Sequence, residues 1–364
     1  MKKILMIIAT LFISPIYAQE SYSYVENELI IWLEQGVDAA KFAANSNQKI
    51  TPKRFLSKRL NIWLFEFTDK VDQRSINERN KRMNNLRQNI NVRYAQNNHT
   101  RAITPNDPNY NAQWAPAKIR LPYVWDEFTS GGPTSDGDDI VVAVIDGGVD
   151  INHEDLCFWK NTDDIPNNGI DDDNNGYIDD YDGWNAYNHT GTINVDYHGT
   201  HVAGIVGAIG NNNRGVSGVN WNVKVLPVCG SSSNEATVVE AYSYVLEMRA
   251  TYNETNGQQG AFIVATNSSF GVDWDDGGNP ANYPIWCAMY DTLGSVGILN
   301  CAATANANWD IDQVGDMPAA CSSNFLITVT NTTSSDTKYT NAGYGATHID
   351  IGAPGTNNLF HISK

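Results

Sequence analysis

An acidic side chain at the end of a buried strand and an imidazole opening a packed helix about fifty residues later form a pair that can move a proton. The acid is Asp146, which follows the apolar run Ile140 to Ile145 and precedes Gly147, Gly148, Val149 and Asp150. An unbroken apolar run fits a parallel strand buried on both faces, and open α/β sheets place their sites at the carboxyl ends of such strands. The imidazole is His198, within Asp196-Tyr197-His198-Gly199-Thr200-His201-Val202-Ala203-Gly204, where small and apolar residues suit a closely packed helix. A histidine at that helix start accepts a proton from a hydroxyl if a carboxylate holds its other ring nitrogen and fixes the tautomer. Asp146 is the candidate carboxylate. Taken alone, an aspartate after a strand serves equally as a cap or turn residue.

Metal ligation competes for some of these residues. His198 and His201, three apart on one helical face with Asp146 near, could hold zinc, but Gly199 and Thr200 and the small residues after them suit helix packing better than a metal shell. His153 and His189 read as loop histidines. In the run Asp171 to Asp182, Asp171, Asp173 and Asn175 supply oxygen ligands at positions 1, 3 and 5 of a calcium-loop pattern, Gly176 stands at position 6 and Asp182 at position 12. Without clear flanking helices this reads as an isolated calcium loop, its alternative being a solvated acidic turn.

The elements that must carry these residues follow from periodicity. Val223 to Val228, Ala261 to Ala265, Ile298 to Ala302, Leu326 to Thr330 and His348 to Ile351 read as short buried strands. Between them Ala236 to Ala250 and Tyr283 to Leu293 read as helices, with Val238, Tyr242, Val245 and Met248 on one face. Strands alternating with helices make an α/β domain, a mostly parallel sheet covered on both faces.

Charge divides the chain before that domain. Residues 19 to 103 hold 14 Lys and Arg against 9 Asp and Glu, and residues from 104 onward 8 against 32. Opposite signs favour docking of one segment on the other, and the acidity excludes a phosphate backbone as partner. Residues 1 to 18, with Lys2 and Lys3, an apolar run to Tyr17 and Ala18, fit a signal peptide for a secreted protein, extracellular or periplasmic, with no stable membrane association. Five cysteines, Cys157, Cys229, Cys287, Cys301 and Cys321, would then reach an oxidising compartment, and an odd count leaves at least one unpaired.

The stretch 19–103 alternates strand and helix patterns. Glu28 to Leu33, Arg59 to Phe67 and Asn91 to Ala95 read as strands, Val37 to Ala44 as a helix, and Ile76, Met83, Leu86 and Ile90 mark a second. This predicts a small α+β module with nothing catalytic in it. A polar, turn-rich linker follows from Asn98 to Pro108, open to cleavage.

The segments Val144 to Asp150 and His198 to Gly204 resemble the Asp and His motifs of the subtilisin-like serine proteases, the subtilase or peptidase S8 family. Asn267-Ser268-Ser269-Phe270-Gly271 is similar to the stretch lining the family's substrate cleft, and Ala302-Ala303-Thr304-Ala305-Asn306 to the stretch ending in its oxyanion asparagine, with Ala305 where glycine is usual. Ile349 to Gly355 resembles the last strand and turn before the serine. The resemblance implies a subtilisin-like three-layer fold over 104–364 and a propeptide, inhibitor and folding aid in cis, over 19–103. It also implies acyl transfer on protein or peptide substrates: Asp146, His198 and Asn306 are the catalytic residues, and Ser269, Phe270 and Gly271 bind substrate.

The resemblance further implies a Gly-Thr-Ser-Met-Ala segment some way after Gly355. The sequence ends at Lys364, Ser363 lacks the preceding Gly-Thr, and Ser322, Ser323, Ser334 and Ser335 come too early. The expectation is a domain incomplete at its C-terminus, inactive, with apolar surface left uncovered. The alternative is a catalytically dead, calcium-binding pseudoprotease. Reading the DNA downstream of codon 364 separates the two.

Overall fold

The computed structural model describes residues 24–69, 76–99, 104–127, 132–134, 136–232, 234–272 and 278–356. The signal-like stretch 1–18, Ser363 and the middle of the linker lie outside these residues. The chain divides into two compact units, 1–103 and 104–364.

The first unit is an antiparallel sheet of β1 (Tyr24–Leu33), β2 (Ile50–Ser57), β3 (Ile62–Phe67) and β4 (Val92–His99), in the order β2-β3-β1-β4, with helices α1 (Ala39–Asn45) and α2 (Ile76–Arg87). Strand alternation turns Leu29, Ile31 and Leu33 of β1 to one face, where they pack with Phe65 and Phe67 of β3, Phe42 of α1 and Met83 and Leu86 of α2. Periodicity extends the second helix to Ile90, but the helix ends at Arg87 and Ile90 is 91% exposed. The sequence reading has no strand at 50–57. That segment carries Pro52 and lies at the sheet edge, where a missing N–H is tolerated.

In the second unit two short helices, α3 (Trp114–Lys118) and α4 (Leu121–Glu127), precede the sheet. Its strands are β5 (Val141–Asp146), β6 (Trp184–Asn185), β7 (Lys224–Cys229), β8 (Ile263–Ser268), β9 (Leu299–Ala303), β10 (Leu326–Thr332) and β11 (Ile351–Pro354). They run in the order β11-β10-β9-β8-β5-β7-β6, every pairing parallel. Four helices accompany them: α5 (Tyr197–Gly207), α6 (Glu235–Thr255), α7 (Pro284–Ser295) and α8 (Ile311–Val314). This is the subtilisin-like α/β fold. The last strand starts at Ile351, so His348 lies in the loop before it rather than in the strand. Among the described residues no helix is long and apolar enough to cross a membrane.

The apolar run of β5 is buried on both faces. Val141, Ala143 and Ile145 pack in a cluster with Val238, Tyr242, Val245 and Met248 of α6 and Trp286, Tyr290 and Leu293 of α7. Val144 points the other way, to Val202 and Ala203 of α5. Toward the β11 edge the α5 side is thinly covered, with Leu299 39% and Ile351 55% exposed. Cys287 of α7 is bonded to Cys321, and Cys157, Cys229 and Cys301 are free.

Between α6, α7 and the end of β8 runs a buried chain of polar contacts. Trp286 Nε1 donates to Tyr290 Oη at 3.1 Å, Tyr290 and Tyr242 share a hydroxyl contact of 2.8 Å, and Tyr242 reaches Ser268 Oγ at 2.7 Å. Removing the fully buried Trp286 ring opens a cavity and strips this chain of its end. Trp286→Ala is expected to cost about 3–5 kcal/mol of stability in urea denaturation. A cost below about 1 kcal/mol would show that the α7 face is not part of the cooperative core.

Candidate active site

Three neighbouring strands end at one level. The register pairs Ile145 with Ser268 and Ser268 with Ala302, so Asp146, Ser269 and Ala303 come next, side by side, at the carboxyl edge. Along that edge stand the residues picked from the sequence. Asp146 closes β5, Ser269, Phe270 and Gly271 follow β8, and Asn306 comes just after β9.

His198 is delivered by α5, whose N-cap Asp196 accepts from Gly199 N at 2.9 Å. The helix lies against the end of β5 because residue 199 has no side chain. A Cβ there would come within 2.0 Å of Gly148 O and 2.9 Å of Asp146 Cβ. His198 Nδ1 therefore reaches Asp146 Oδ1 at 2.9 Å and Oδ2 at 3.0 Å, and Gly147 N donates to Oδ1 at 2.8 Å. The Asp146 side chain is 4% exposed and that of His198 57%. A carboxylate accepts only from a protonated nitrogen, so it holds the imidazole proton on Nδ1 and leaves Nε2 as the basic nitrogen.

The hydrogen bond to Asp146 raises the His198 pKa above its ordinary value; burial opposes the shift, and the charges of Asp146 and Asp196 add to it. The protonated pair thus stabilises the fold fully below the unfolded histidine value of about 6.5, and the contribution is lost as pH rises through the higher folded value. Among the described residues, Asp146, Asp196 and His198 form the one acidic and histidine group whose ligand atoms lie within 4.8 Å of one another. His201 is not in it, so the two-histidine zinc arrangement is not assembled.

The wall after β8 is fixed from behind. Phe270 stacks on Trp286 with ring centroids 6.0 Å apart. At Gly271 a Cβ would meet Met317 O at 2.1 Å, which requires glycine. Asn306 is exposed, and Ala305 before it is buried.

Between Asp146 and His198 in the chain, three of the four residues of the acidic pattern converge. Asp171 accepts from Asn175 N at 3.1 Å and Gly176 N at 2.9 Å, while Asp173 accepts from Asn161 Nδ2 at 2.9 Å and Asn175 Nδ2 at 3.1 Å. Asp182 turns away to form an ion pair with Lys160. Asp180 stands in its place, fully buried, accepting from Asn161 Nδ2 at 2.6 Å and Asn175 Nδ2 at 3.1 Å. Burial pushes its pKa up to about 7, with the Asp173 charge adding to the effect, and burial likewise raises Asp173. The carboxylates of Asp171, Asp173 and buried Asp180, gathered around Asn175, are the hard oxygen donors that a divalent cation such as calcium takes, although the three do not all lie within 4.8 Å of one another.

Sequence reading missed Asp180 and Asp196. The second had a signal, a capping residue just before a helical apolar run; the first had none, because the counting pattern selects Asp182.

The profile of the subtilase family, Peptidase S8, matches residues 137–363. Subtilisin-like protease 1 of Plasmodium berghei is 39% identical over 142 residues, 38% of this chain and 23% of that protein. An extracellular protease of Xanthomonas campestris is 28% identical over 279 residues, 72% of this chain and 44% of that protein, and an extracellular basic protease of Dichelobacter nodosus is 30% identical over 71% and 42%. The chain spans less than half the length of each of these relatives. Among solved structures, a protease of Pseudoalteromonas arctica PAMC 21717 aligns with a TM-score of 0.47 and 24% identity, over 70% of this chain and 73% of that one. The profile covers more than half of the chain and takes in both Asp146 and His198, so the chain belongs to the subtilase family.

Proposed function

We propose that this protein is a secreted serine endopeptidase that hydrolyses peptide bonds of proteins or peptides by acyl transfer. The observation that carries the reading is the 2.9 Å contact of His198 Nδ1 with buried Asp146 at the carboxyl edge of β5. With Nδ1 so held, Nε2 is free to take the proton of an attacking serine and return it to the leaving amine. Asp146 steadies the imidazolium, the Asn306 side-chain amide donates to the oxyanion, and Ser269, Phe270 and Gly271 form the wall along which substrate lies.

Among the described residues no serine hydroxyl is hydrogen-bonded to His198. Ser322 and Ser323 precede β10 and so lie toward the opposite edge of the sheet. Ser334 and Ser335 follow β10, three strands or about 14 Å from β5. Hydrolysis is therefore to be assayed on the product of the complete reading frame. Residues 1–18 act as the signal peptide and 19–103 as the propeptide acting in cis; relatives named as extracellular proteases support export.

Calcium is the proposed structural cofactor, held by Asp171, Asp173 and Asn175 as in the sequence pattern, with Asp180 in the position expected of Asp182. The ion would neutralise buried carboxylates and stiffen the loop.

Two outcomes test these assignments. In the full reading-frame product, Asp146→Asn is expected to lower kcat about 10⁴-fold, on the scale known for subtilisin itself. The acid limb of the wild-type kcat/KM profile should lie above pH of about 6.5. An imidazole NMR titration of the 364-residue chain gives the same answer without turnover, since His198 should titrate above that value and fall back in Asp146→Asn. Identical titrations in the two proteins would sink the pair as a catalytic unit. For the cation, millimolar calcium is expected to raise the melting temperature of the wild type and not of Asp173→Ala. Equal responses would reject the loop as a calcium site.

A further inference from the structure

We infer that Asp316 is a positioning residue for the oxyanion amide of Asn306, an inference that rests on the endopeptidase reading. Asp316 belongs to none of the motifs read from the sequence. It is 2% exposed. Its Oδ2 accepts from Thr304 Oγ1 at 2.8 Å and from Ala305 N at 2.7 Å. Both donors stand on the exit of β9, immediately before Asn306. One carboxyl oxygen that accepts two short hydrogen bonds in a buried setting is costly to leave without its donors, so it tethers the segment that supplies them. On the other side of the same residue, Ala305 O accepts from Gly343 N at 2.9 Å. The peptide groups on both sides of the Ala305 Cα are therefore held, and the Asn306 side chain projects from a fixed base.

Asp316 is in turn anchored to the substrate wall. Met317 and Val272 form an antiparallel bridge, Val272 N donating to Met317 O at 2.8 Å and Met317 N to Val272 O at 3.2 Å. Backbone approach is equally close just before it, where a Cβ on Gly278 would lie 2.9 Å from Gly315 C. Ala320 N closes a turn on Asp316 O at 2.7 Å. Residues 315–317 thus splice the wall after β8 to the exit of β9, and the carboxylate is the link on the β9 side. An oxyanion donor works only when it lies about 2.7–3.1 Å from the developing charge, and a displacement of about 1 Å can cost 10²-fold in rate. Asp316 sets the spacing between the surface that holds the substrate and the amide that polarises its carbonyl.

The test is a double-mutant cycle on the full reading-frame product with a peptide substrate. Asp316→Asn and the milder Thr304→Val are expected to lower kcat, by about 10- to 100-fold and by less, respectively, with KM within about twofold, because the oxyanion contact is made in the transition state. In an Asn306→Ala background, itself lowered about 10²- to 10³-fold, Asp316→Asn should add little further loss. Full multiplication of the two losses, or a fall in melting temperature with kcat unchanged, overturns the inference. Amide hydrogen exchange in the 364-residue chain supplies an arm independent of turnover. Loss of protection at Ala305 N in Asp316→Ala, which removes the acceptor oxygen, supports the tether, and unchanged protection overturns it. If the wild type shows no hydrolysis at all, the endopeptidase reading fails on its own, and the exchange arm still decides whether Asp316 positions this segment.

Discussion

A nearly buried carboxylate at the tip of β5 is the constraint on which the rest of the second unit depends. Asp146 is 4% exposed at its side chain, and an ionised group so placed is tolerable only when its oxygens are satisfied. Gly147 N and His198 Nδ1 satisfy them. The second donor comes from another element, so α5 must press against the strand end, and that approach excludes any side chain at Gly199. The N-cap aspartate of α5 brings a like charge near Asp146, and the imidazole between them is the group that relieves both.

How much of this the sequence could show depends on whether a feature is local. The run Ile140 to Ile145 needs no partner to declare a buried strand, and the long helix over Glu235–Thr255 shows its face through Val238, Tyr242, Val245 and Met248. Strand boundaries shifted by up to four residues where pairing rather than composition decides. The two-residue strand β6 was invisible because it exists only as a partner of β7. In the acidic loop, counting positions led to Asp182, yet Asp179 at φ 56° and Gly183 at φ 115° turn the chain so that Asp180 faces inward. Side-chain direction there follows backbone turns, which residue spacing does not encode.

Long-range pairs were the least legible. Asp312 accepts from the backbone of Ala346, Thr347 and His348 and from His348 Nδ1 at 2.7 Å, and the histidine contact foremost draws its carboxyl down to about 2. Nothing near either residue in the chain announces the other, which is why His348 read as strand. The same holds for cysteines. Composition bounded the number that pair, and only the packing of α7 brings Cys287 to Cys321, 34 residues on.

The site is assembled from opposite faces of the sheet, and this explains why it lies at an edge. α5 covers one face of β5 and supplies the imidazole, whereas α7 lies on the other and fixes the wall through Trp286 against Phe270. A sheet one residue thick separates these two layers everywhere except where its strands stop. At the carboxyl ends of β5, β8 and β9 groups carried by both layers come to one level without any of them crossing the sheet. The disulfide from α7 to Cys321 then ties the wall's support to the segment that contains Asp316. Rigidity on the wall side therefore comes from buried aromatic and covalent contacts, and on the imidazole side from a single charge held by hydrogen bonds.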